Sequence, residues 1–521
     1  MMTSTERSAR ARHPLRRARW AGALGTAAAV LTGLGLAQLA AALLDPRSSP
    51  VALVGGIVID LTPAPVKDAV IALAGTGDKA VLIVCVLLGT LALSALAGSS
   101  LHRTAAPALL WCGVVALIAV VAALTRLDGS PTHVVPGVVL AAAAGTVVLV
   151  LRRILSRADP TGASVMGGAD RRRLLAAITG SAGIGVVGAV VGTAVGPVAP
   201  SREVTLPTPR SSPSRLPTGL DVAGITPLRT SAKDLYRIDT ALVVPGYRYE
   251  EWDLRIDGMV EAPFRLTLDE LLAEEMVEID ATMLCVSNPV GGDLAGSVRF
   301  QGVRVADLLE RARPQPGADQ VLSTSVDGFT AGTPLEVLQE KDRNALIVVG
   351  IDGEPLSPVH GAPARLFTPG LYGYVGATKW LRRLSVGTFA EQKAYWTTRG
   401  WSERGPVKTS ARIDTPADGA RTRPGEDGTV PIAGVAWAVH RGVGAVQVSV
   451  DGGDWTEAEL SSDVNRDYWR QWVVRARLDP GPHSARVRAA DASGRWQEAE
   501  PAAPAPNGAQ GYHQVEFTVR G

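Results

Sequence analysis

The sequence predicts a multi-domain protein: all-α transmembrane helices, then an α+β domain, then an immunoglobulin-like β-sandwich. Three observations predict it. Apolar runs of bilayer-spanning length crowd into roughly the first 200 positions. From Gly224 onward, short strand-like and helix-like patterns mix without regular βαβ spacing. From Ile413 onward, short alternating strands recur between turn signals. The divisions fall at 1–197 for the membrane part, 198–223 for a linker, 224–410 for the α+β domain and 411–521 for the sandwich.

The spanning runs are Trp20–Leu44, Ala80–Ala97, Ala105–Leu124, Val134–Leu151 and Leu174–Val195, which makes five helices in a lipid bilayer. Val51–Leu73 is also apolar, but Asp60, Pro63, Pro65, Lys67 and Asp68 break it, so it reads as interfacial or re-entrant. Arginines fix the orientation. Arg7, Arg10, Arg12, Arg16, Arg17 and Arg19 precede the first helix, Arg103 follows the second, and Arg152, Arg153, Arg157 and Arg171–Arg173 lie between the fourth and fifth. With five spans all these loops share one face. The positive-inside rule then makes the N-terminus cytoplasmic and places everything after Pro197 outside the cell membrane. Arg171-Arg172 before a Gly/Ala-rich apolar stretch reads either as this basic anchor or as a twin-arginine export signal. A membrane haem needs two histidines at similar depth. The candidates His102 and His133 sit near opposite faces, so no haem is predicted.

A net charge of +2, with arginine clusters flanking apolar runs rather than aromatics, argues against nucleic acid as a partner. Of three cysteines, Cys85 and Cys112 fall in apolar runs and Cys285 stands alone far downstream, so no disulfide framework is evident.

Pro197–Pro217 is rich in Pro, Ser and Thr and reads as an extended tether with little to bury. In the α+β domain, Trp252–Gly258 alternates as a strand, and Thr267 caps a short helix over Leu268–Leu272. Phe300-Gln301-Gly302-Val303 reads as a turn before a helix. Further strands are expected at Val321–Val326 and Ala345–Val349. Cys285 ends a strand, and Asn288-Pro289 and Gly291-Gly292 force a turn after it. Standing alone, it reads as a small buried hydrophobe or as a soft metal ligand. Downstream, His360-Gly361-Ala362-Pro363-Ala364-Arg365 and the glycine-rich run through Gly373, Gly376, Thr378, Lys379 and Trp380 bring His, Arg and Lys onto permissive loops. That combination suits a polyanion such as a phosphate. In the sandwich, Val435–Val439, Val446–Val450, Trp472–Leu478 and Ala485–Ala490 alternate as strands, and His440, His483 and His513 read as structural or solvated.

These residues together resemble the sulfite oxidase family of molybdenum-cofactor enzymes, in a membrane-anchored bacterial branch. The resemblance is carried over roughly residues 225–520 by Thr282-Met283-Leu284-Cys285-Val286-Ser287-Asn288, Phe300-Gln301-Gly302-Val303, the His360–Arg365 loop, Pro369-Gly370 and Lys379-Trp380-Leu381. It implies a molybdopterin-dependent oxidoreductase with Cys285 as the thiolate ligand of molybdenum. It also implies that His360, Arg365 and Lys379, with Thr378 beside them, hold the pterin and its phosphate, and that Asn288 stands beside the ligand cysteine. Arg237, and Arg470 within Trp469-Arg470-Gln471-Trp472, match family arginines of an anion pocket. Trp401 stands where sulfite-oxidising members carry a tyrosine, and Pro289-Val290 stand where they carry positive charge. The implied substrate is therefore a small sulfur oxo compound. Sulfite oxidation and reduction of a neutral S-oxide of the methionine sulfoxide type are the alternatives, and a non-catalytic membrane-anchored binding module is the reading from another class. Electrons are expected to pass through a separate partner. Val446–Trp455 resembles the family's dimerisation domain, so a homodimer is possible.

Overall fold

The computed structural model describes residues 4–62, 78–126, 131–158, 168–194, 203–242, 244–245 and 249–521. The chain divides into two compact units, residues 1–201 with 241–248, and residues 202–240 with 249–521.

The first unit is helical: α1 (Ser4–Leu44), α2 (Pro50–Leu61), α3 (Asp78–Gly98), α4 (Ala106–Arg126), α5 (Val135–Ala158) and α6 (Gly168–Ala194). Among the described residues, five helical stretches are long and apolar enough to cross a membrane: Ala18–Leu44, Lys79–Gly98, Ala106–Thr125, Thr132–Ser156 and Ala169–Thr193. The interfacial reading of Val51–Leu73 falls partly on α2, whose first turn is set by Ser49 as N-cap and Pro50. Residues 63–77 lie outside the described residues. Small side chains let α1 and α6 approach backbone to backbone, since a Cβ on Gly35 would collide with the Gly185 carbonyl. Thr32 adds a hydrogen bond across this contact, donating to the Ser181 carbonyl at 2.7 Å.

The second unit begins with β1 (Asp253–Gly258), β2 (Phe264–Thr267), α7 (Leu268–Ala273), β3 (Met276–Leu284), β4 (Ala295–Arg304), α8 (Val305–Ala312), β5 (Gln320–Ser325), β6 (Thr330–Pro334) and α9 (Leu335–Gln339). It continues through β7 (Leu346–Ile351), β8 (Glu354–Pro355), β9 (Arg365–Phe367), α10 (Gly373–Gly376) and β10 (Leu381–Gly387). Two sheets form, in the orders β2-β1-β10-β5-β6 and β3-β4-β7-β8, with β9 added to β7. Thr267 and Glu270 complete a reciprocal capping box at α7.

The remaining strands are β11 (Ser410–Thr415), β12 (Ala420–Thr422), β13 (Val430–Trp437), β14 (Val443–Val450), β15 (Thr456–Glu457), β16 (Glu459–Leu460), β17 (Arg470–Ala476), β18 (Gly481–Asp491) and β19 (His513–Val519). They make two facing sheets, β11-β13-β17-β16 and β12-β19-β18-β14-β15. Alternate residues of both, among them Ile432, Val448, Trp472, Val487 and Phe517, bury into one core.

Two expectations are corrected. Phe300–Val303 is not a turn but the middle of β4. Gly302 marks a register shift against β7, where a Cβ would strike the Ile347 carbonyl, so the glycine signals a bulge rather than a reversal. The Pro-rich segment is not a free tether over its described part. Ser211 bridges Val277, the Arg210 amide donates to the Met276 carbonyl at 2.8 Å, and the Glu278 amide donates to the Ser211 carbonyl at 2.9 Å. The Gln301 and Arg299 side chains donate to the carbonyls of Pro207 and Ser214. β3 is an edge strand, and an extended chain is what can satisfy its open backbone groups.

The two-sheet part is not independent of the part before it. Leu284, Val286 and Tyr374 share a core with Trp437, Tyr468 and Trp469. The Thr282 amide donates to the Asp467 carbonyl at 2.9 Å, and the Trp469 amide to the Thr282 hydroxyl at 2.8 Å. The indole of Trp469 donates to the Leu228 carbonyl at 2.7 Å. The strand that ends at Cys285 is thus braced on both edges.

Candidate active site

Cys285 follows the last residue of β3 and is 8% exposed. Its amide donates to the Leu294 carbonyl at 3.0 Å, and its carbonyl accepts from the Asn288 amide at 3.2 Å. The Asn288 side chain closes the same loop by accepting from the Leu294 amide at 2.9 Å. Asn288 therefore shapes the loop and does not line the cleft into which Cys285 opens. Burial pushes the Cys285 thiol up, against the Ser287 amide and hydroxyl, which favour the thiolate. A thiolate here needs a metal or a cation to stabilise it.

The facing wall comes from the segment running from His360 to Trp380. His360 is buried, and its Nε2 donates to the Ala232 carbonyl at 2.9 Å. Burial, then the charges of Arg365 and Lys379, hold its pKa below the usual value. Arg365 opens β9 and is 2% exposed. It donates to the His360 carbonyl at 3.3 Å and approaches Met283 Sδ at 3.2 Å. Burial lowers its pKa to about 10. Lys379 donates to Asp239 and to the Val359 carbonyl, both at 3.0 Å. Burial lowers its pKa to about 8 against the pull of Asp239.

One cleft brings Arg365 and Lys379 together with Cys285. Of the residues expected to act in catalysis or cofactor binding, Cys285, Arg365, Lys379 and Trp401 line it. His360 does not line it and meets Arg365 through its carbonyl. Thr378 does not reach the cleft: its hydroxyl is fully buried against Ser323 Oγ at 2.6 Å. Arg237 pairs with Asp239 at 3.1 Å and remains 42% exposed, outside the lining. The sharpest correction concerns Arg470. It lies on β17, half-buried, and its guanidinium donates to the carbonyls of Ser461 and Val443. Those carbonyls at the strand ends occupy it, and it does not line the cleft.

The cleft also holds residues that sequence reasoning passed over. Tyr236 lines it, and the nearby charges on its phenol are those of Cys285 and Arg365. Burial holds that phenol well above its ordinary range, so it is a neutral donor. Tyr374 lines it as well, with its hydroxyl donated to the Ser402 carbonyl at 2.8 Å. Trp401 therefore does not leave the cleft without phenols. Asp327, Phe329 and Trp396 complete the far wall. The only signals for these were the Tyr-Arg run at 236–237 and the Asp-Gly turn at 327–328.

These groups fit an anionic cofactor that carries a metal. Among the described residues, the buried Arg365 Nε, a donor, and His360 Nδ1, an acceptor while Nε2 carries the proton, have no hydrogen-bond partner, and buried polar groups are rarely left so without a ligand to meet them. Also among the described residues, no three His, Cys, Asp or Glu side chains converge as a metal site. A metal at Cys285 would take its remaining ligands from the cofactor.

The family model for the oxidoreductase molybdopterin binding domain matches residues 241–396, a span that includes Cys285, His360, Arg365 and Lys379. The uncharacterized oxidoreductase YuiH of Bacillus subtilis (strain 168) is 31% identical over 163 residues, 31% of this chain and 78% of that protein. Mitochondrial sulfite oxidase of Drosophila melanogaster is 27% identical over 291 residues, 46% of this chain and 50% of that protein. The chain belongs to the sulfite oxidase family of molybdopterin oxidoreductases. As a member it is a molybdopterin-dependent enzyme. It spans about half the length of the mitochondrial sulfite oxidases that it matches. Among solved structures, the sulfane dehydrogenase SoxCD from Paracoccus pantotrophus is similar with a TM-score of 0.47 at 21% identity, over 57% of this chain and 84% of that one.

Proposed function

We propose that this protein is a membrane-anchored molybdenum-cofactor oxidoreductase that moves an oxygen atom onto or off a small sulfur oxo compound, outside the cell membrane. The convergence of Cys285, Arg365 and Lys379 on one cleft carries this reading. Cys285 would ligate the metal, and Arg365, Lys379 and His360 would hold the anionic pterin and its phosphate. When bound, the cofactor supplies two-electron oxygen-atom exchange. The chain's own residues do the rest. Thr282, tied to Asp467 and Trp469, fixes the strand that aims the thiolate. Tyr236 offers a neutral hydrogen-bond donor beside it, and the rings of Trp396 and Trp401 line the same cleft.

S-oxide reduction is the second reading. It is favoured by Arg470 and Arg237 standing outside the cleft, since a sulfite dianion calls for cations that face it. The extracytoplasmic placement rests on the basic loops gathered on one face of a five-span arrangement. Electrons would come from or go to a separate partner protein. The two-sheet C-terminal part would be immunoglobulin-like and serve a homodimer.

Molybdenum and pterin analysis of the detergent-purified chain tests the reading, with turnover assays on sulfite and on S-oxides using artificial electron carriers. Cys285→Ser is expected to remove the molybdenum–thiolate absorption and to lower turnover at least about 100-fold. Full turnover in that variant would show that the cleft is not the site. Fast turnover of sulfite alone would remove the reductase reading.

A further inference from the structure

Four charged side chains line the cleft among the described residues: Arg365, Lys379, Asp239 and Asp327. Three of them have assigned work. Arg365 is deeply buried against the His360 carbonyl and Met283, and Lys379 and Asp239 hold each other at 3.0 Å. Asp327 has no cationic partner among the described residues. Its Oδ1 accepts from the Phe329 amide at 3.2 Å, and Ser325 supplies a further neutral hydrogen bond. Burial, with the like charge of Asp239, pushes its carboxyl above the usual range. Capping the hairpin turn accounts for one oxygen, and an asparagine would do that equally well. The charge is what the turn does not explain.

Asp327 also begins a continuous wall of rings. Phe329 meets Tyr395 at 5.7 Å, Tyr395 meets Trp396 at 5.2 Å, Trp396 meets Trp401 at 5.9 Å, and Trp401 meets Tyr374 at 5.7 Å. Phe329, Trp396, Trp401 and Tyr374 all face the cleft. Aromatic faces beside an unpaired carboxylate attract a cation and repel an anion. We propose that Asp327 and the rings of Phe329, Trp396 and Trp401 form a substrate subsite that receives a positively charged group, so that the preferred substrate is a sulfur oxide carrying an ammonium-type cation.

The proposal rests on the oxygen-transfer reading of the same cleft, and its test separates the two. Binding to the detergent-solubilised full-length holoenzyme is followed by quenching of tryptophan fluorescence, independently of turnover. The probes form a charge series: protonated (methylsulfinyl)ethylamine, dimethyl sulfoxide and sulfite. The amine is expected to bind about tenfold more tightly than dimethyl sulfoxide, with sulfite the weakest. Asp327→Asn, which keeps the turn-capping oxygen, should erase the gap between amine and dimethyl sulfoxide while leaving dimethyl sulfoxide binding within about twofold. Phe329→Leu keeps the capping amide and removes the ring, and should close the gap by about threefold if the asparagine variant fails to fold. Equal affinity for amine and dimethyl sulfoxide in the wild type, or an unchanged gap in both variants, overturns the subsite. An intact binding order with no turnover of any sulfur oxide overturns the oxygen-transfer reading instead.

Discussion

Two stretches of this chain carry an arginine that the family resemblance assigns to the site, Arg365 to the pterin and its phosphate and Arg470 to an anion pocket, and the fold treats them in opposite ways. In the wall from His360 to Trp380, Arg365 is 2% exposed and its Nε finds no partner among the described residues. In the stretch from Asp467 to Gln471, Arg470 is half-buried and spends its donors on the Ser461 and Val443 carbonyls. The neighbours reverse the pattern: Tyr468 and Trp469, just before Arg470, are 1% exposed, and the Trp469 amide ties this stretch to Thr282 of β3. Burial of a cation without satisfaction marks a place kept for a ligand. Satisfaction by carbonyls marks a structural clamp.

The contrast can be broken by experiment. Arg365→Met should weaken retention of the cofactor by roughly 10- to 100-fold, read as pterin and molybdenum content after dialysis. Unchanged retention would remove the distinction between the two arginines. Lys379 tests the same wall through pH. Its native pKa of about 8 lies below the ordinary lysine value of 10.5, so between these limits the unfolded chain holds a proton that the native one has released. Stability must then rise with pH across that window. In cofactor-free protein, the melting temperature of wild type relative to Lys379→Met should move in favour of wild type from pH 8 to pH 10.5, by the equivalent of roughly 2 kcal/mol. A flat difference would mean that Lys379 is not desolvated. The smallest effect belongs to Arg470→Ala. Turnover should stay within about twofold, while stability falls by about 1 kcal/mol through the lost hydrogen bonds to Ser461. A large loss of turnover with intact folding would return Arg470 to the site.

Much of the unit containing the site is legible where the signal is local. The strand-like run before Cys285 and the Asn-Pro and Gly-Gly turn after it place a cysteine at a strand end, where β3 ends. Thr267 with Glu270 announces α7 because a capping box needs only residues three apart. The glycine at 302 misleads, because a bulge and a turn ask for the same residue and differ only in what lies across the sheet. The Pro-rich segment misleads because its composition says nothing about an open sheet edge waiting for it. Tyr236 and Asp327 are not legible as site residues because no motif around them marks a site, and only the folded cleft brings them beside Cys285.

The sequence by itself determines the five apolar helices, the mixed and all-β parts that follow, and the lone soft thiol with His, Arg and Lys on glycine-rich loops after it. Each of these is a matter of residue type and short-range period, which the chain carries wherever it folds. Only the tertiary structure decides which charges share a cleft. It takes Arg470 out, holds Arg237 at the margin, neutralises Lys379 with Asp239, and leaves Asp327 facing the cleft without a counter-ion among the described residues. Pairing depends on distance in space, and residues 140 apart in sequence, such as Asp239 and Lys379, meet only after the strands between them have packed.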